Sequence, residues 1–381
     1  MHVTVAHSED IDSSDAIAEV LASCGDEWAA PPRAGLLFAG VDHDFGTLTS
    51  AVLDRWPELE LVGCSTDGEI SSTVGKSQDS VVLALFGSER VGMRVGVGRN
   101  IFADPAAAAR DAIEAAKEGL DKDIRLCIVV MGGLRVDACA VVETIQAALP
   151  SGAVVVGGLA GGGGGWDHTV QTIGREVLEG TVCVLLFAGP LTVSAAAGNG
   201  WVPVGSMHRV TKSAGTRLSE IDDHAAVDLY TRYLGGHSLY HPLAVYPKDD
   251  GEFFIATSPS VDPDGSVTVL NNVPTGSGVR LADAHADDLI VAAELVSREA
   301  AHAFRGLPVD AGLAFSCSGR RILLGSRVGE EIDLLRQSTG LGIPIAGFYS
   351  YGEICPLRGQ HEARVHNSTL AFVLLGEEEL T

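Results

Sequence analysis

Apolar positions along this chain fall into short runs that recur in a fixed order. The run GLLFAG at 35–40 leads through Leu48, Val52 and Trp56, spaced as on one face of a helix, past Pro57 to LELVGCSTDGEI at 59–70, and then to SVVLALFG at 80–87. The order returns in LCIVVMGG from Leu126, the helical spacing of Val141, Ile145 and Leu149, Pro150, AVVVGGLAGG from Ala153 and TVCVLLFAG at 181–189. It returns again in AGLAFSC at 311–317, Ile332 and Leu335, IPIAGFYSYGEI at 343–354 and STLAFVLLG at 368–376. Apolar residues three and four apart predict helices with one buried face. Short Val, Ile and Leu runs bounded by Gly or Pro predict strands buried on both faces. The fold class is therefore α/β: two lobes of mixed β-sheet covered by helices, built from three recurring strand-helix-strand-strand units at 35–87, 126–189 and 311–376. The sheets should be mixed because the last two strands of each unit are joined by a loop, with no helical crossover between them.

The segment between the second and third units has another texture. Ile221, Ala225, Leu229 and Tyr233 predict a helix over 218–234, ended by Gly235-Gly236. The strand-like AVYP, FFIATS and SVTVL follow, separated by turn signals at Asp249-Asp250-Gly251 and Asp262-Pro263-Asp264-Gly265. A long helix is predicted from Ala284 to Phe304. A boundary at 215 divides the chain into 1–215, with the first two units, and 216–381, with the intervening strands and the third.

Composition narrows the function. Of 381 residues, 46% are apolar and 20% charged, enough for a large core. A formal charge of −24 repels phosphate backbones and anionic lipid, which argues against nucleic acid and membrane surfaces as partners. Thr181 to Met207 carries no Asp, Glu, Lys or Arg, but Gly189-Pro190 and Gly198-Asn199-Gly200 cut it into pieces too short to cross a bilayer. Seven cysteines at 24, 64, 127, 139, 183, 317 and 355 form no CxxC pair, and the N-terminus has no basic-then-apolar signal pattern, so a reducing cytoplasm is expected.

The candidate chemistry sits just after the middle strand of each unit. Counted from the glycine at that point, the first and third units read Gly63-Cys-Ser-Thr-Asp-Gly68-Glu69 and Gly347-Phe-Tyr-Ser-Tyr-Gly352-Glu353, while the second keeps glycines at 157 and 162 with Gly163 at the acidic position. Glycine there lets a ligand approach the main chain, and the hydroxyls and carboxylate beyond it offer directional hydrogen bonds. The competing reading is that Glu69 and Glu353 satisfy backbone amides. The glycine run at 161–165 has no following GK[ST] and reads as a loop. His237 and His241 lie beside Gly235-Gly236 and Pro242 without a zinc-site frame, so no metal site is expected.

Taken together, GCSTDGEI, VVGGLAGG, AAAGNGWVPVG with RVTKSAG, LSEIDDHAAVDLY, and GFYSYGEICP with HNSTLAFVLL resemble the N- and C-terminal halves of the FIST sensory family over nearly the whole chain. That resemblance implies a stand-alone sensor of a small ligand such as an amino acid, passing its signal to a separate partner protein, with a homodimer compatible. It marks Gly63, Thr66, Gly68 and Glu69, Gly157 and Gly158, and Tyr351, Gly352, Glu353, His366, Asn367 and Thr369, while Cys355 departs from its small-residue preference. The expected ligand contacts are Ser65, Thr66, Asp67, Glu69, Gly157, Gly158, Tyr351, Glu353, His366 and Asn367, with no catalytic residue. Two alternatives stand beside this reading. One is a haem-binding nitric-oxide sensor of the FIST type, since twelve histidines leave haem open as a cofactor. The other is a cysteine-dependent enzyme with Cys64 or Cys355 as nucleophile, His366 as base and Glu353 orienting it.

Overall fold

A computed structural model describes residues 1–132, 136–163, 168–248, 251–304, 308–339, 342–357 and 362–378. The first unit runs β1 (His2–Ser8), α1 (Ser13–Ser23), β2 (Pro32–Gly40), α2 (Phe45–Arg55), β3 (Glu60–Thr66), β4 (Glu69–Ser71), β5 (Gly75–Ser77) and β6 (Val81–Gly87). The second repeats it as β7 (Gly92–Gly98), α3 (Pro105–Lys117), β8 (Ile124–Met131), α4 (Ala138–Ala148), β9 (Val154–Leu159), β10 (Gln171–Ile173), β11 (Glu176–Leu178) and β12 (Val182–Ala188). The third opens with β13 (Leu191–Gly198) and then carries an insertion: β14 (Val202–Ala214), β15 (Arg217–Ile221), β16 (His224–Ala225), α5 (Ala226–Leu234), β17 (Leu243–Tyr246), β18 (Phe254–Ala256), β19 (Ser260–Val261), β20 (Val267–Thr268) and β21 (Gly278–Asp283). It resumes with α6 (Ala286–Ala303), β22 (Ala311–Cys317), α7 (Ser318–Leu324), α8 (Val328–Ser338), β23 (Ile345–Ser350), β24 (Glu353–Pro356), β25 (Ala363–His366) and β26 (Leu370–Glu377). Each unit is thus longer than the apolar runs alone suggested, by a leading strand and helix and by a short hairpin. The first four helices begin where the sequence places an aspartate: Asp12, Asp44, Asp104 and Asp137 accept hydrogen bonds from the first-turn amides.

The three units build three six-stranded sheets of one design. The orders are β1-β6-β2-β3-β10-β11, β7-β12-β8-β9-β24-β25 and β13-β26-β22-β23-β4-β5, with one parallel pair at the centre of each. The last two strands of every sheet come from another unit. The second unit's hairpin completes the first sheet, the third unit's completes the second, and the first unit's completes the third. Through this cyclic exchange no sheet is made by one unit alone.

Glycine makes the exchange fit. Gly63, Gly157 and Gly347 stand opposite Leu37, Val129 and Ala314 in the parallel pairs. A Cβ on any of them would meet that partner's carbonyl oxygen at 2.2, 1.9 and 1.8 Å respectively. On the other side the same glycines pair with Thr172, Ile354 and Ile70 of the visiting hairpins. The repeated glycine therefore answers first to strand packing.

Alternate residues of the buried strands serve two cores. Leu36 and Phe38, Ile128 and Val130, and Leu313 and Phe315 face a core shared by all three sheets, while Leu37, Val129 and Ala314 lie under the helices. Ring contacts cross between sheets: Phe38 to Phe348 at 4.7 Å and Phe86 to Phe187 at 5.4 Å, the latter edge-to-face. Such pairs add about 0.5–1.5 kcal/mol beyond the area they bury. The insertion has its own core, centred on Leu218, Tyr230, Leu243 and Val267.

One expectation is corrected. The helix over 218–234 is helical only from Ala226, because Asp222 and Asp223, at φ 52° and 62°, turn the chain between Ile221 and its cross-strand partner His224. A boundary at 215 falls in the turn of the β14–β15 hairpin, where Ala214 pairs with Arg217. Asp249, Asp250 and the part of the glycine-rich loop at Gly164, Gly165, Trp166 and Asp167 lie outside the described residues. Among the described residues no helix is long and apolar enough to cross a membrane.

Alanine at Gly63, Gly157 or Gly347 should cost about 3 kcal/mol or more through overpacking against a carbonyl. Alanine at Gly319, where an added Cβ finds nothing closer than 3.6 Å, should cost far less. Urea midpoints measure the contrast, and comparable losses at all four positions would refute the packing account.

Candidate functional site

The hairpin exchange brings the loop after each central strand against its neighbour. Asp67 N–H donates to Tyr349 O and Tyr349 N–H to Gly68 O; at the next junction Tyr351 N–H donates to Leu159 O and Leu159 N–H to Gly352 O. At the third, Ser65 N–H donates to Val170 O and Gly161 N–H to Ser65 O, while the Ser65 hydroxyl donates to Gly161 O at 2.6 Å and accepts from Val170 N–H at 2.8 Å. Ser65 is a staple between units.

Each junction encloses one polar side chain at the first residue of the visiting hairpin. Glu69 accepts from the Thr66 hydroxyl on one oxygen, and from the Ser80 hydroxyl at 2.6 Å and amide at 3.2 Å on the other. Glu353 accepts from the Ser350 hydroxyl at 2.7 Å and the Thr369 amide at 3.0 Å. The third member is Gln171, whose carbonyl oxygen accepts from the Thr181 amide at 3.2 Å and hydroxyl at 3.3 Å. Gln171 lies fourteen residues after Gly157, where the other two loops take six, so Gly163 is not the counterpart of the two glutamates. The signal available in the sequence was position relative to the following hairpin, with Thr181 directly ahead of β12 as Thr369 is ahead of β26.

All three side chains are fully enclosed. Burial pushes the Glu69 carboxyl up to about 7 against its hydroxyl and amide partners, and burial likewise raises Glu353. His7 bridges the Ser71 and Ser80 hydroxyls at 2.7 and 2.9 Å, and burial lowers it to about 4. The chain Ser71, His7, Ser80, Glu69, Thr66 keys the first junction. Glu69, Glu353 and Thr66 therefore meet protein groups, which is the amide-satisfying role set against ligand contact.

The remaining expected residues divide. Gly157 and Gly158 are packed, the latter with Ser350 Cβ 2.9 Å from where its own Cβ would stand. His366 borders an open groove of about 640 Å³ between α4, β25 and the insertion, and its Nε2 is bonded to the Cys355 carbonyl at 2.9 Å. Asp67, Tyr351 and Asn367 come together at a second, more enclosed cavity of about 90 Å³. Its floor is the C-terminal end of β22 and β23 with the start of α7: Cys317, Ser318, Gly319 and Ser350. Its roof comes from the insertion: Trp201, Leu239, Tyr240, Thr257 and Leu270. The Asp67 carboxylate is held by Arg321 at 2.8 Å. A lining that is mostly apolar with a few fixed polar groups, at the carboxyl ends of adjacent parallel strands, is the usual form of a small-molecule site. Trp201, Cys317, Ser318, Gly319 and Ser350 were not anticipated. Ser350 could have been, since it holds the offset of Thr66, and CysSerGly directly after a buried strand was a further cue.

The thiol arrangement is not assembled. Cys64 and Cys355 are buried in the shared apolar core, and burial drives both thiols up. Burial also lowers His366 to about 4, and its Nε2 meets the Cys355 backbone, not the sulfur. Cys317 borders the enclosed cavity, but burial, followed by the nearby Glu353, keeps its thiol protonated. Among the described residues no three His, Cys, Asp or Glu side chains gather as a metal site.

Family models place this architecture. The FIST N domain matches residues 33–224 and the FIST C domain residues 226–356. The chain belongs to the FIST family. FIST domains are associated with sensory and signal-transduction roles. The two domains meet at the start of α5, and the FIST C segment contains most of the insertion. Uncharacterized protein MT0656 of Mycobacterium tuberculosis (strain CDC 1551 / Oshkosh) is 29% identical over 252 residues, covering 61% of this chain and 63% of the relative. Uncharacterized protein Mb0898c of Mycobacterium bovis is 26% identical over 244 residues, covering 60% and 61%. The matched region thus spans less than two thirds of these relatives. Among solved structures, a cyanuric acid hydrolase from A. caulinodans aligns over 99% of both chains at 13% identity and a TM-score of 0.36, too distant to inform fold or function.

A carboxyl whose pKa is raised on folding stabilises the native state where it is protonated. For Glu69 that contribution is complete below about 4.5 and is lost as pH rises through about 7. Glu69→Gln should therefore gain stability relative to the parent chain between pH 5 and 8, by roughly 3 kcal/mol at most, while the His7 contribution, present above about 6.5 and lost towards 4, cancels in the difference. A pH-independent difference in melting temperature would reject the assignment.

Proposed function

We propose that this FIST chain is a sensor that takes a small molecule into the enclosed cavity between the Asp67 loop, the Cys317–Gly319 segment and the insertion, and signals to a separate partner protein. The observation that carries the reading is the composition of the cavity wall: three pieces of chain distant in sequence meet there, one of them an insertion that the other two units lack. A ligand touching all three binds better when the insertion is seated, and so biases its position. That bias is the form a signal needs, since a ligand shifts an equilibrium only by its difference in affinity between two states.

The volume sets the ligand class. A cavity of about 90 Å³ holds a few waters or a compact organic molecule, in the range of a small amino acid or similar polar metabolite. The proposed contacts are Asp67, Tyr351 and Asn367 from the expected set, with Ser350, Cys317 and Trp201 added.

Amino acids, small carboxylates, small amines and haem should be screened by thermal shift, because a ligand of the native state at a hundred times its Kd adds about 2.7 kcal/mol. Gly319→Leu projects a side chain into the cavity from a position with room for its Cβ. The variant should melt near the parent temperature and lose the ligand-induced rise. A full rise retained in Gly319→Leu would place the ligand elsewhere.

A further inference from the structure

β25 ends its sheet, and its free edge faces the open groove of about 640 Å³. Gly352 C=O accepts from Leu159 N–H on the β9 side, so Ile354, two residues on, faces β9 as well. Glu353 and Cys355 therefore exchange hydrogen bonds with their partners His366 and Arg364, and Ala363 and Val365 turn their N–H and C=O groups away from the sheet. Two of these four groups meet side chains: Ala363 N–H donates to Gln146 Oε1, and Val365 C=O accepts from the Asn271 amide, each at 2.9 Å. Gln146 and Asn271 both line the groove, which fixes the direction in which the edge points. Ala363 C=O and Val365 N–H have no partner among the described residues. These two groups are spaced for one further residue. In a parallel ladder, a residue opposite Arg364 donates its N–H to Ala363 C=O and accepts at its own C=O from Val365 N–H, leaving Gln146 and Asn271 in place. An antiparallel strand would compete with one of those side chains.

We infer that the groove is a docking site for an extended segment of a partner protein, which adds to β25 as a parallel strand with apolar side chains towards α4 and basic residues at its ends. The inference names the partner contact of the sensor reading above and rests on that reading for its role in signalling. Residues on either side of the one opposite Arg364 share the face of Ala363 and Val365, whose side chains pack in the core under α4, and so meet Val142 and Ala147. Charge selects the ends: Glu143 and Glu362 outnumber Arg364 on the groove wall, His366 is neutral because burial lowers it to about 4, and the whole chain carries −24. β5 and β11 end the other two sheets at the corresponding place, and at β25 the insertion adds a second wall through Phe254 and Asn271. That wall is shared with the enclosed cavity. Asn271 follows Leu270 of the cavity roof, and Leu270 N–H donates to Thr257 O beside it. A shift of the insertion is therefore felt in both places.

The probe is a short synthetic peptide of alternating valine and threonine with a lysine at each end, fluorescently labelled and titrated against the intact chain. Saturable binding by anisotropy is expected, with amide hydrogen exchange at Val365 slowed about tenfold or more. The same peptide ended by glutamates should bind more weakly at low ionic strength. Val365→Pro removes the free N–H without breaking a bond of the sheet, a change suited to an edge strand, and should weaken binding about tenfold. Ala147→Tyr fills the groove from an exposed position on α4 and should abolish binding, which keeps the test sound should the proline variant fold poorly. No saturable binding, or binding that both variants leave intact, overturns the docking site, and equal binding of the glutamate-ended peptide overturns the charge assignment. The sensor reading has its own readout in Gly319→Leu, a residue that does not line this groove, so the two fail separately.

Discussion

The close approach of two parallel strands in each unit is the constraint from which the rest of the structure follows. With no side chain at Gly63, Gly157 and Gly347, the central strand can lie against its neighbour's carbonyl on one side and still accept a foreign hairpin on the other. Backbone pairing of that kind leaves little freedom of register, because a one-residue slip would turn every alternate side chain out of its core. Three such pairings in a ring then force the three sheets to share one apolar interior, with Phe38, Phe86, Phe187 and Phe348 in contact across it.

The same ring explains why Glu69, Gln171 and Glu353 are buried. Each sits where a hairpin leaves its own unit and enters another, a place where the amide ahead of the closing strand would otherwise have no acceptor. An unmet buried amide is costly, and a side-chain oxygen supplies what the interrupted ladder does not. Two junctions use a carboxyl and one an amide. The neutral form suffices, in keeping with the upward displacement of both carboxyls. These groups hold the junctions together.

The proposed cavity is placed by asymmetry. Three-fold repetition alone would give three similar junctions, but only the third unit carries the insertion, and its Trp201, Tyr240 and Leu270 roof the space at the end of β22 and β23. Asp67 and Tyr351 hold equivalent positions in their loops, and both reach this one cavity because the first and third units meet beneath the roof.

The sequence by itself determined the existence of the units, the strands and helix that their apolar runs mark, the family, and the loops where polar groups gather. These follow from local periods and from glycine positions, which act within a few residues. It could not say that Gln171 and not Gly163 answers to Glu69, since a longer loop between them hides the offset until the hairpin is paired with β3. Nor could it separate Glu69 and Glu353, which hold the junctions, from Asp67, Tyr351 and Asn367, which border a cavity: all five are polar residues near the same glycines. Only the tertiary structure decided that, because burial and the choice of hydrogen-bond partner depend on which unit's hairpin enters which sheet, and that pairing joins residues as far apart as Ile70 and Gly347.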